Sequence, residues 1–63
     1  MWHITNEELP KENKSVIVYF PRRKYYSVGF QLGGCWCFDT LMPMKSPPYT
    51  WCEFEEFKNE EKV

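Results

Sequence analysis

The chain has a single histidine, three glycines, no apolar run of membrane-spanning length and no surplus of charge of either sign. Each shortage removes a class of function. Without about 18 consecutive apolar residues there is no candidate transmembrane helix. Eight Lys and Arg stand against nine Asp and Glu, a formal charge of −1, so no global basic field draws the protein to nucleic acid or to an anionic membrane. The glycines form no phosphate-cradling loop, and neither a nucleophile elbow nor a paired-carboxylate constellation is present. His3 is the only imidazole that could activate a cysteine nucleophile, and no third group is in place to orient it. The sequence reads as non-enzymatic and without a cofactor.

Three cysteines, an odd number, with no signal-like start, point to reduced thiols in a cytoplasm rather than to a disulfide framework. Cys35, Cys37, Cys52 and His3 have the residue types of a Cys3His zinc site. Their spacing is poor for it. Zinc knuckles present cysteines two to four residues apart on a turn, whereas Cys35 and Cys37 flank Trp36 on an expected strand, where alternate side chains lie roughly 6.5–7 Å apart. Buried structural thiols are the stronger reading, with a bond from Cys52 to one strand cysteine as a lesser one.

What the chain has is aromatic side chains. Twelve of its 63 residues are Phe, Trp or Tyr, and each ring can bury roughly 150–250 Å². A domain this small buries only about 60% of the surface of its unfolded chain, so a dense aromatic core or self-association must supplement it. The expected fold is a single mainly β domain, 1–63, or a small α+β one. Its core is an antiparallel meander over 15–38, extended to three or four strands. Val16-Ile17-Val18-Tyr19-Phe20 has the composition of a strand buried on both faces. Pro21 starts a turn whose tip, Arg22-Arg23-Lys24, stays wet. Tyr25 to Leu32 resumes the strand pattern, Gly33-Gly34 suits a primed two-residue hairpin loop, and Cys35 to Phe38 returns.

That second turn pairs Leu32 with Cys35, Phe30 with Cys37, Gln31 with Trp36 and Gly29 with Phe38. The first turn leaves two alternatives. A four-residue loop, Pro21 to Lys24, puts Val16, Val18 and Phe20 on the face of Trp36 and Phe38; three or five residues put them with Val28, Phe30 and Leu32. In either case both faces are apolar and need covering, by the termini or by a partner.

Before the meander, Thr5-x-x-Glu8 and Asn6 are helix-start signals that Pro10 cuts off after one turn, so an extended lid carrying Trp2, Ile4 and Leu9 is expected. After it comes a Pro-rich connector, 39–49, and then a candidate edge strand over 50–54. Alternatively Phe54 and Phe57 start a short helical turn, ahead of a fraying acidic tail over 58–63.

Two binding readings follow. The surplus of rings points to an exposed aromatic face that binds protein, with Trp36, Phe38, Tyr25 and Trp51 as its candidates. Arg22, Arg23 and Lys24 beside Tyr19, Phe20, Tyr25 and Tyr26, with Lys11, Lys14 and Lys45 as further cations, point instead to single-stranded nucleic acid, because bases stack on rings next to cations.

Trp2, Glu8-Leu9-Pro10, Val16-Ile17-Val18-Tyr19, Tyr26-Ser27-Val28-Gly29-Phe30, Gly34-Cys35-Trp36 and Thr50-Trp51, in that order, resemble a small phage and prophage family catalogued as domain of unknown function 551. The resemblance covers roughly residues 2 to 52. It departs at the end, where Cys52-Glu53-Phe54-Glu55-Glu56 replaces a Pro-rich tail and no His precedes Trp51. It carries no catalytic residue. It implies a phage or prophage origin, the host cytoplasm as location, and an accessory role in binding, inhibiting or modulating a host or phage protein; a homodimer is suggested separately, by the small size of the core.

Overall fold

The computed structural model describes residues 1–61, with side chains through Phe57. Five strands, β1 (His3–Ile4), β2 (Val16–Phe20), β3 (Tyr25–Leu32), β4 (Cys35–Phe38) and β5 (Thr50–Cys52), form one antiparallel sheet in the order β1-β5-β2-β3-β4. A helix, α1 (Phe54–Glu61), follows. The mainly β class is as expected, and the meander of β2, β3 and β4 is its centre.

The second hairpin has the expected register, Gly29↔Phe38 through Leu32↔Cys35. Gly33 and Gly34 both take positive φ, +60° and +85°, as a turn that matches the strands' own twist requires. The first hairpin closes with Phe20 opposite Tyr25, so its loop has four residues. Val16, Val18 and Phe20 therefore share a face with Trp36 and Phe38.

Position 50–54 divides. Thr50–Cys52 is a strand, but an interior one, held between β1 and β2 rather than at the edge. Phe54 starts the helix, whose backbone continues to Glu61, the short helical alternative for the acidic C-terminus; positions 62 and 63 of the expected tail lie outside the described residues. The N-terminal lid also differs from expectation. His3 and Ile4 join the sheet, and one turn follows in which the Glu7 and Glu8 amides donate to the Ile4 carbonyl, 2.9 and 3.0 Å. Leu9 is exposed, and it is Pro10 that is buried.

Residues 8–14 cross the face that carries Val16, Val18, Trp36 and Trp51, the buried core cluster. Hydrogen bonds from two core side chains help to fasten them there. The Trp51 indole donates to the Glu8 carbonyl at 2.7 Å, and the Gln31 amide donates to the Pro10 carbonyl at 2.8 Å. The connector 39–49 covers the rest. It first runs along β4, where Phe38 N–H donates to Met42 O and Met44 N–H to Trp36 O, masking an otherwise open strand edge. Met44 then packs on the core and Pro48 is fully buried.

Gly29 is where this layer comes closest. A Cβ there would lie 2.5 Å from the Met44 methyl and 2.7 Å from the Cys37 carbonyl oxygen. The methionine, rather than the Phe38 ring opposite, occupies the space above the glycine.

The other face is less covered among the described residues. Its strand positions are Ile4, Ile17, Tyr19, Tyr26, Val28, Phe30, Leu32, Cys35, Cys37, Thr50 and Cys52, none of them charged. Apart from Cys52 they are half-buried or exposed, with Tyr26 and Leu32 at 59% and 55%. Strand β2 is thus buried on one face only, where its composition suggested two.

Candidate functional site

The alternation of a strand puts every second residue on the open face, and there the sequence places rings side by side. Tyr19 of β2 and Tyr26 of β3 are direct cross-strand partners, with ring centroids 4.5 Å apart. Trp2, immediately before β1, reaches over them, 6.3 Å from Tyr19 and 5.8 Å from Tyr26. The three rings make a continuous aromatic plate, bordered by Ile17, Val28 and Phe30, on an uncharged surface.

The residues singled out from sequence as a protein-binding face separate. Trp36 (7% exposed) and Trp51 (2%) are core, because the four-residue turn and the two crossing segments put them under the lid and connector. They present no surface to a partner. Phe38 is half-buried and Tyr25 half-exposed, and both lie at the outer end of the core face, beyond the lid. Their exposed edges belong to a different site. Trp2, Tyr19 and Tyr26 were expected elsewhere, Trp2 in the lid and the two tyrosines as rings beside the basic turn, and not as an open face. The signal for the two tyrosines was available, since a four-residue Pro21 loop puts them on the face opposite Trp36.

Arg22, Arg23 and Lys24 are exposed in the first turn, as expected, where the Arg23 and Lys24 amides close it on the Phe20 and Pro21 carbonyls. They are joined by Lys45. Arg23 and Lys45 line an open cleft of about 510 Å³ with Phe20, Tyr25, Phe38 and one carboxylate, Asp39. A second cleft, sharing Phe20, Arg23 and Ser46 with the first, adds Arg22 and Tyr49. Phe20 lies 6.2 Å from both Tyr25 and Phe38, so three tilted rings form the floor.

The four candidate metal ligands are not brought together. Cys35 and Cys37 are on β4 and Cys52 on β5, with two strands between, a separation of roughly 14 Å at the usual strand spacing. His3 faces the opposite side of the sheet, stacked on Trp51 at 4.4 Å. The same separation excludes a bond from Cys52 to a β4 cysteine, since bridged Cα atoms lie within about 7 Å. Among the described residues no three of His, Cys, Asp and Glu converge on one point.

His3 has a structural partner instead. Its Nε2 is 2.8 Å from Glu56 Oε1, and its Nδ1 3.4 Å from Glu8 Oε1, so it ties α1 and the turn after β1 to the sheet edge. The hydrogen bond from His3 holds the Glu56 carboxyl below its ordinary 4.5, against the opposing effect of desolvation and with smaller help from the charges of His3 and the N-terminus. The Met1 amine is 3.5 Å from the same carboxylate.

No helix among the described residues is long and apolar enough to cross a membrane. No family model matches the chain, and neither a curated protein nor a solved structure is similar to it.

Proposed function

We propose that the chain is a non-enzymatic protein-binding domain and that the open sheet face, centred on Trp2, Tyr19 and Tyr26, is its contact surface. The observation that carries this reading is an uncharged aromatic and aliphatic face on all five strands whose side chains, Cys52 apart, are half-buried or exposed among the described residues. Sheets of soluble domains bury an apolar face against another element, and here the covering segments both lie on the opposite side. The accessible surface, 4934 Å², exceeds by about 600 Å² the roughly 4,300 Å² usual for a monomer of this mass. Two faces each burying about that much reach the roughly 1,200 Å² at which stable interfaces begin.

The occupant is a protein surface as free of charge as this one, because a buried unpaired charge opposite would cost far more than the rings return. A second copy meets that condition, and so does an apolar patch on a host or phage protein. The phage or prophage origin implied by the order of motifs, and a cytoplasmic location, belong to this proposal.

Sedimentation equilibrium across the micromolar range tests it, together with crosslinked capture from a bacterial lysate. Tyr26→Lys and Leu32→Lys, both at well-exposed positions, serve as the interface variants. Either a dimer or a stoichiometric complex that both folded variants lose is expected. A monomer whose captured partners are indifferent to the two variants would overturn the reading.

A further inference from the structure

The net charge of −1 conceals a division along the sheet. From Phe20 to Tyr49 the chain carries four bases, Arg22, Arg23, Lys24 and Lys45, against Asp39 alone, a net of three positive charges; the remainder has four bases and eight acids. The antiparallel order brings those four bases to one end. Strand β2 runs into the 21–24 turn at the end where β5 begins, and β4 runs toward that end but stops short of it, so the connector carries on from Phe38 and lies beside the turn. None of the four makes an ion pair among the described residues, whereas Lys14 at the opposite end is 3.4 Å from Glu53.

We infer that the clefts between the 21–24 turn and the connector bind single-stranded nucleic acid, with phosphates on Arg22, Arg23 and Lys45 and bases stacked on Tyr25 and Phe20. The ligand must combine repeated negative charge with planar rings. The cations account for the first requirement and would serve an acidic peptide as well. The exposed rings decide between them, since base–aromatic stacking is sequence-tolerant and an acidic peptide leaves the rings unused. Arg23 and Phe20 line both clefts, so a strand lying along them passes the guanidinium and the ring midway. Duplex is not the ligand, because its bases are stacked internally and the rings would have nothing to pair with. The site lies on the core face of the sheet, away from the open face, so the two surfaces can be occupied together.

Fluorescence anisotropy with a labelled oligo-deoxythymidine at low salt tests this on the full chain. Affinity should fall with rising salt, as phosphate contacts require. The double variant Arg23→Glu/Lys45→Glu should weaken binding at least about ten-fold and flatten the salt slope. Tyr25→Ala should weaken it about ten-fold and leave the slope unchanged, the signature of a lost stack. All three positions are exposed, so folding should survive, and circular dichroism checks it. Absence of binding at low salt would overturn the assignment. So would binding indifferent to the double variant, or displacement of the oligonucleotide by poly-glutamate as readily as by unlabelled oligonucleotide.

Discussion

Replacing Gln31 with leucine is the sharpest test of how this small sheet keeps its lid. Gln31 is 3% exposed, a polar side chain inside the core. Its Nε2 donates to the Pro10 carbonyl at 2.8 Å and its Oε1 accepts from the Gly34 amide at 2.9 Å, so one side chain joins the lid to the Gly-Gly turn. Leucine matches the volume and loses both bonds. The Gly34 amide is in an exposed turn and water can replace its partner, at a net cost of about 0.5–1 kcal/mol. The Pro10 carbonyl, on a buried residue, is left without one, which costs about 1–3 kcal/mol. Burial of the leucine offsets part of that, leaving a loss of about 2 kcal/mol. A domain of this length has only about 3–9 kcal/mol in total. At 4–8 °C per kcal/mol, Tm should fall by roughly 10 °C. Urea unfolding followed by tryptophan fluorescence reads the loss, and hydrogen exchange should show the Asn13 amide, bonded to the Gln31 carbonyl at 2.9 Å, opening first. Gln31→Glu, which keeps the acceptor and removes the donor, should be at least as harmful. A leucine variant as stable as the parent would refute the reasoning, since it would mean that the Gln31 side chain contributes nothing to holding the lid.

Gly29→Ala should cost about 1–3 kcal/mol by overpacking, and adding Met44→Ala should restore only part of it, because the Cys37 carbonyl is backbone and cannot swing away; equilibrium unfolding of both variants checks this. Thr5→Val should raise stability by about 1 kcal/mol, since the Thr5 hydroxyl is buried without a hydrogen-bond partner; a lower unfolding midpoint would show that the hydroxyl is satisfied. For Glu56 the folded carboxyl titrates below 4.5, so in that window the unfolded state holds more protons and stability rises with pH. The contribution is therefore complete above about pH 4.5 and disappears as pH falls through the folded value. Thermal melts of the parent and Glu56→Gln should differ at pH 6 and converge in acid, and a constant difference would contradict the role given to the His3 contact.

The parts legible from sequence were those set by local backbone chemistry. Gly33-Gly34 can take positive φ at both positions, and period-two alternation then determines every pair of the second hairpin, including Gly29 with Phe38. Pro10 likewise stops the first turn. The first hairpin lacked such a determinant, because Pro-Arg-Arg-Lys suits more than one loop length, and so the faces of Val16, Val18 and Phe20 stayed open. Thr50-Trp51-Cys52 read as an edge strand because its outer neighbour, His3–Ile4, comes from the far end of the chain and is too short to announce itself. At the basic site, Arg22, Arg23, Lys24 and Tyr25 are adjacent in sequence and visible as a group. Lys45 and Phe38 join them only where the connector folds back.

By itself, the sequence settled a small mainly β domain, its second turn and register, and an excess of aromatic surface over what so short a chain can hide. Tertiary structure alone decided which rings that excess comprises. The lid and the connector both cross the Val16, Val18 and Trp36 side, so Trp36 and Trp51 became core while Trp2, Tyr19 and Tyr26 were left outside. That choice depends on contacts between segments distant in the chain, such as Gln31 with Pro10 and Trp51 with Glu8. Local propensity and alternation carry no information about them.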